Sequence, residues 1–170
     1  MTDRTRTVTW QDPGPGTLQG LSMPGIDYMQ AVMKGELPAP PIAATMQFEL
    51  VEAEIGRAVF TCTPDESVYN PIGAVHGGLV CTLLDSAAGC ALHTTLPQGK
   101  GYTSVEIKVS YLKAVRSSSG LLTATGTVVK AGARVGFTEA TVTDGSGALV
   151  ATASSTLLVF DLETLRADHP

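Results

Sequence analysis

Hydrophobic and polar positions alternate along this chain with two distinct periods. Between Val75 and Leu96, the apolar residues Leu79, Val80, Leu83, Leu84, Ala87, Ala88, Ala91 and Leu92 spread around a whole helical circumference. A helix that is apolar all round is normally buried. Pro71 disfavours helix at Asn70 and Pro97 stops the run, which predicts one central helix of ~33 Å at ~1.5 Å per residue. Upstream, Ile26, Met29, Val32 and Met33 share one face, predicting a short amphipathic helix over 26–37 that ends near Gly35. Pro38, Pro40 and Pro41 read as a stiff connector.

The other segments follow the strand period of two. Met46–Ile55 and Arg57–Thr63 flank Gly56 and read as a hairpin. Ser104–Leu112 puts Val105, Ile107, Val109 and Tyr111 on one face, with Glu106, Lys108 and Ser110 on the other. Leu121–Lys130, Arg134–Thr143 and Ala148–Phe160 are joined by Ala131-Gly132-Ala133 and Asp144-Gly145-Ser146-Gly147, both of hairpin length. The expected order is a helix, two strands, a long buried helix, then four strands in a meander. The simplest layered solution is α+β, a curved antiparallel sheet wrapped around the central helix. That order fits a hotdog fold over residues 26–160. A loose Gly- and Pro-rich arm (1–25) precedes it and a fraying tail (161–170) follows.

Composition narrows the functional classes. The 170 residues, 44% of them hydrophobic, suit one domain with a real core. Only 16% are charged, so much of the surface is expected to be covered by other subunits. A net charge of −5 without a basic block argues against nucleic acid as a partner. Cys62, Cys81 and Cys90 lack metal spacing and read as reduced residues of a cytoplasmic protein. The polar opening MTDRTRTVTWQD has no apolar run, so no signal peptide is expected. Asp85, Ser86 and His93 make 79–96 a poor membrane span, so no membrane partner is expected.

Candidate chemistry gathers on the central helix. Gly77-Gly78 leaves backbone N–H groups uncovered at its N-terminus, where the helix dipole favours an oxygen gaining negative charge. Asp85 is a carboxylate in a buried helix, which needs a partner, water or a catalytic task. Each has a plainer reading. Asp85 could be bonded to a nearby serine or to backbone, His76 could be a satisfied structural histidine, and Asn70 before Pro71 is commonly a turn former. Lys130 and Arg134 could hold phosphates or could be solvated hairpin charges.

The run Asn70-Pro71-Ile72-Gly73-Ala74-Val75-His76-Gly77-Gly78, Asp85 nine residues after the histidine, and the alternating strand from Ser104 together resemble hotdog-fold acyl-CoA thioesterases of the phenylacetate-pathway type. The turns Lys130-Ala131-Gly132-Ala133-Arg134 and Asp144-Gly145-Ser146-Gly147 also resemble the family. The resemblance covers most of 26–160. It implies hydrolysis of an acyl- or aryl-CoA thioester to free acid and coenzyme A, without metal or other cofactor. It implies that Gly77 donates its N–H to the thioester carbonyl, with Gly78 beside it. Asn70 polarises the carbonyl or places water, and His76 lies alongside. Asp85 is then general base or nucleophile. Some members position the water with a hydroxyl at the start of the next strand, here Ser104. Others use a Thr one turn after the carboxylate, where this chain has Gly89.

Helix geometry adds a constraint. Gly77 and Asp85 stand eight residues apart, ~12 Å along one helix, too far for one carbonyl carbon to reach both. The site is therefore expected to be shared across a two-fold axis, in a homodimer or a dimer-of-dimers tetramer. The rival readings are a hotdog hydratase or dehydratase and a non-catalytic acyl-CoA-binding protein.

Overall fold

The structure, a computed structural model, describes residues 2–162. Four helices, α1 (Pro13–Gly20), α2 (Gly25–Met33), α3 (Pro41–Met46) and α4 (Gly77–His93), accompany six strands. These are β1 (Phe48–Glu54), β2 (Arg57–Cys62), β3 (Lys100–Tyr111), β4 (Leu122–Ala131), β5 (Val135–Thr143) and β6 (Leu149–Asp161). They form one antiparallel sheet in the order β1-β2-β4-β5-β6-β3, curved around α4. This is the expected hotdog architecture.

The core lies between α4 and the concave face of the sheet. Leu83, Leu84, Ala87, Ala88, Ala91 and Leu92 of α4 are fully buried, as are Leu122 and Ala124 of β4 and Val142 of β5. Small residues let the helix ride directly on the sheet. A Cβ at Gly126 of β4 would sit 2.1 Å from the Ala87 carbonyl oxygen, so only glycine permits this approach.

The central helix is shorter than its apolar run. Val75 donates its N–H to the Val115 carbonyl and His76 donates to Val68, so both residues are held as extended chain. His76 caps the helix and Gly77 opens it. At the other end Thr95 bonds to Leu92 and Leu96 to His93, a tighter i to i+3 pattern that closes α4. The helix is thus 17 residues, ~25 Å long.

The expected four-strand meander is also corrected. Only β4, β5 and β6 follow one another in space. β4 takes the place beside β2, pairing Arg57 with Thr127 through to Cys62 with Leu122, so its other side is the only one open and β5 fills it. β3 instead takes the free edge of β6. A bulge between Ser104 and Glu106 breaks its alternation, and Val105, expected on the buried face, is 60% exposed.

The N-terminal third holds two helices that the composition concealed. Pro40-Pro41 starts α3, because proline at a first helical position is pre-set for the helix, and Gln47 ends it with φ 58°. The strand expected from Met46 therefore begins at Phe48. Within the arm, Asp12 accepts the Gly14 N–H at 2.9 Å where α1 begins. Arg6 straps the arm down through Ser67 Oγ (2.8 Å) and the Thr45 carbonyl (2.7 Å), and Arg4 pairs with Glu66. Most of the expected tail, 163–170, lies outside the described residues.

Candidate active site

The N-terminus of α4 has one N–H donor left open. His76 accepts the Gly78 N–H on Nδ1 at 2.8 Å, which leaves Nε2 as the nitrogen free to donate. Leu79 donates to the His76 carbonyl. Among the described residues the Gly77 N–H has no partner. Both glycines stand close against a neighbouring ring. A Cβ at Gly78 would lie 2.8 Å from His76 Nδ1, and one at Gly77 would press on the Tyr111 ring at 3.2 Å. Tyr111 also donates its hydroxyl to the Gly77 carbonyl at 2.9 Å, which fixes the first turn of the helix from β3.

Asn70 sits in the loop that feeds this cap. Its Oδ1 accepts the N–H groups of Ile72 (3.1 Å) and Ala74 (3.2 Å), and its own N–H bonds the Ala74 carbonyl at 2.8 Å. Asn70 is therefore the turn former of the plainer reading. Its Nδ2 amide has no partner among the described residues and remains a donor.

Two turns further along α4, half-buried Asp85 accepts a hydrogen bond from Ser104 Oγ at 2.8 Å. β3 runs along this face of the helix, and Tyr102, two residues before Ser104, lays its ring on Gly89. Burial, with the Asp85 charge nearby, raises the pKa of the Cys81 thiol. Burial raises Cys90 further, to about 12, so both cysteines stay protonated near neutrality.

The structure brings Asn70, His76, Gly77 and Gly78 together at one end of α4, and Asp85 and Ser104 together at mid-helix. Lys130 and Arg134 are joined to neither group. They stand exposed on the β4–β5 hairpin near the C-terminal end of α4, where Gly136 packs under Leu92. Tyr111 and Tyr102 escaped the sequence reading. A glycine inside a helical pattern, Gly89, was the signal for a close neighbour there. Among the described residues no three His, Cys, Asp or Glu side chains gather as a metal site, and no helix is long and apolar enough to cross a membrane.

The site is thus a hotdog sheet around one helix, with an open N–H at the helix start and a serine-bonded carboxylate on the same helix. The model of the thioesterase superfamily matches residues 72–151. Human acyl-coenzyme A thioesterase 13 is 31% identical over 103 residues, which cover 60% of this chain and 72% of that one. The chain belongs to the thioesterase superfamily. A shorter match, 39% identical over 72 residues, spans 41% of this chain and 46% of a protein from Halobacterium salinarum, less than half that relative's length. The fold is that of the Escherichia coli PaaI protein from the phenylacetic acid degradation operon, at a TM-score of 0.70 and 21% identity over 82% of this chain and 96% of that one. A Streptococcus mutans protein solved with acetyl CoA bound has 28% identity and a TM-score of 0.61, covering 67% of this chain and 89% of that one.

Proposed function

We propose that this protein hydrolyses an acyl- or aryl-CoA thioester to the free acid and coenzyme A, at a site built by two copies of the chain. The Gly77 N–H and the Asn70 amide of one copy hold the thioester carbonyl oxygen. Asp85 and Ser104 of the facing copy hold the attacking water. The observation that carries the reading is the Ser104–Asp85 hydrogen bond at 2.8 Å. It engages Oδ1 and leaves Oδ2 to take a proton.

In this scheme Asp85 accepts a proton from water as the oxygen bonds to the carbonyl carbon. The carbonyl electrons move onto the oxygen facing Gly77, where a pre-aimed N–H stabilises the growing charge. The tetrahedral intermediate then collapses, the C–S bond breaks, and the coenzyme A thiolate leaves and takes up a proton. His76 and Gly78 shape the wall beside the thioester, since the Gly78 N–H is engaged in the cap.

The ~12 Å between Gly77 and Asp85 along α4 supports a site shared across a two-fold. So does the edge strand β3, where Val105 is 60% and Tyr111 54% exposed, with Leu112 just after it 58% exposed. The proposed assembly is a homodimer or a dimer of such dimers. Lys130 and Arg134, which form no ion pair among the described residues, are proposed to meet coenzyme A phosphates. A cytoplasmic location belongs to the same reading.

The test uses two variants. Asp85→Asn should lower thiol release by ~10²–10⁴ at unchanged melting temperature. Asn70→Ala and Asp85→Asn homodimers, unfolded together in equal amounts and refolded, should regain about a quarter of wild-type activity through mixed dimers with one intact site. Mixed dimers confirmed by mass but without activity would sink the shared site. Wild-type protein that binds acyl-CoA but releases no thiol would favour the non-catalytic reading.

A further inference from the structure

Behind the proposed site lies a cavity of about 510 Å³ that the chemistry above leaves unused. Its size falls within the ~300–1,000 Å³ of small-ligand sites. Its walls come from α2 (Met29, Val32), α3 (Ala43) and the first hairpin (Phe48, Phe60), and its inner end is Tyr102. Exposed Lys34 and Glu49 line it too, and they mark its mouth to solvent.

The cavity is in line with Asp85. Asp85, Gly89 and His93 recur at i, i+4 and i+8 on one face of α4, so they stack within ~12 Å along the axis. Ser104 and Tyr102 alternate onto that same face from β3. The Tyr102 ring, which a Cβ at Gly89 would meet at 2.6 Å, therefore stands where the face carrying Asp85 and Ser104 meets the cavity. Cys90 and His93 complete the inner wall. Among the described residues the buried His93 Nδ1 has no hydrogen-bond partner, and burial lowers the pKa of the ring, so this wall is uncharged near neutrality. The residues of α2, α3, β1 and β2 lie outside 72–151, the part shared with the family model.

We propose that this cavity is the acyl compartment of the subunit that supplies Asp85, that it takes a medium-length apolar acyl chain past Tyr102, and that the N-terminal segment 28–50 sets the chain-length preference. The inference rests on the thioesterase reading and adds a substrate class to it. An apolar chain gains by leaving water for such walls. Lys34 and Glu49 carry the charge of this lining and stand at the mouth, so a charged acyl terminus would meet no ionic partner along the inner walls.

The experiment compares acetyl-CoA with decanoyl-CoA in the wild type, Val32→Trp and Ala43→Phe. Wild type should prefer decanoyl-CoA. Each bulky variant should lose at least about tenfold in kcat/KM for decanoyl-CoA, since filling even a methylene-sized space costs ~10–200-fold. Acetyl-CoA turnover should stay within twofold. Equal rates for both thioesters, or equal losses, would overturn the proposal. A measurement on the wild type alone covers the case in which the variants fold poorly. Decanoic acid should shift the methyl NMR signals of Met29 and Met33, and acetate should not. Unmoved methionines would overturn the acyl compartment. Wild-type protein that hydrolyses neither of these nor benzoyl-CoA or phenylacetyl-CoA would instead remove the thioesterase reading, while activity on an aryl thioester alone would overturn only the acyl-chain proposal.

Discussion

Two turns of this molecule share one backbone design and differ in one atom. Asn70 accepts the N–H groups of residues 72 and 74, and Asp144 accepts those of residues 146 and 148 at 3.0 and 3.1 Å. Each first residue also bonds the carbonyl four residues on. Each turn places a glycine at the fourth position with positive φ, 75° at Gly73 and 82° at Gly147. The turn itself needs only one side-chain oxygen, so what remains is the other terminal atom. Asp144 is buried and gives its second oxygen to Lys113 Nζ at 2.6 Å, which ties the β5–β6 turn to the segment after β3. Asn70 is left with an amide that donates to nothing among the described residues, in the loop that leads into the helix cap. One turn is closed on itself as structure. The other is built in the same way and keeps a donor for something outside the chain.

The strongest way to break this comparison is Asn70→Asp. It keeps the turn's acceptor and replaces the free donor with an acceptor. Thiol release should fall by ~10²–10³, the cost of losing one donor to a developing oxyanion, with the melting temperature almost unchanged. Unchanged turnover would make Asn70 a second Asp144, a turn former and nothing more.

A smaller effect tests the shared backbone. Gly73→Ala and Gly147→Ala force an L side chain into the left-handed region, and each should cost about 1–2 kcal/mol in a urea melt. Only Gly73→Ala should also slow turnover, because only its turn feeds the site. Equal activity losses in the two would erase the distinction.

The smallest effect concerns the charge at residue 144. The Lys113 ammonium, helped by the Ser146 hydroxyl, holds the Asp144 carboxyl well below the usual carboxylate range. A depressed folded pKa means the stabilisation is complete above the unfolded value of ~3.9 and is lost as pH falls towards the folded one. Asp144→Asn should therefore melt slightly below wild type from pH 8 to about 5, and the gap should close below ~4. Lys113 is half exposed, so the gap should be modest and should shrink in salt. Turnover should not change. A gap that widens in acid would contradict the assignment.

These turns also show what the sequence could convey about the site. Asn70 before proline pointed equally to a turn former and to a catalytic helper, and the structure gives its two atoms separate positions. The resemblance implied a water-positioning role for Ser104 and a base or nucleophile at Asp85, but not the hydrogen bond between them, because no spacing rule joins residues nineteen apart on a helix and a strand. Tyr111, which holds the Gly77 carbonyl, looked like one more inward position of an alternating strand. The bulge at Val105 changed the register that such a reading assumes.

Local pattern alone determined the buried central helix, the three hairpins and the glycine pair at the helix start, since these depend on neighbours a few residues away. The carboxylate on that helix and its ~12 Å distance from Gly77 were equally written in the spacing, because an α-helix has one rise per residue. Only the tertiary structure decided that β3 lies beside β6, that Tyr102 covers Gly89, and that α2, α3 and the first hairpin enclose a cavity behind Asp85. Those outcomes depend on which sheet edge stays free after β4 docks on β2, and on which small residues let backbones approach. Both are properties of the packed whole, so no window of the sequence contains them.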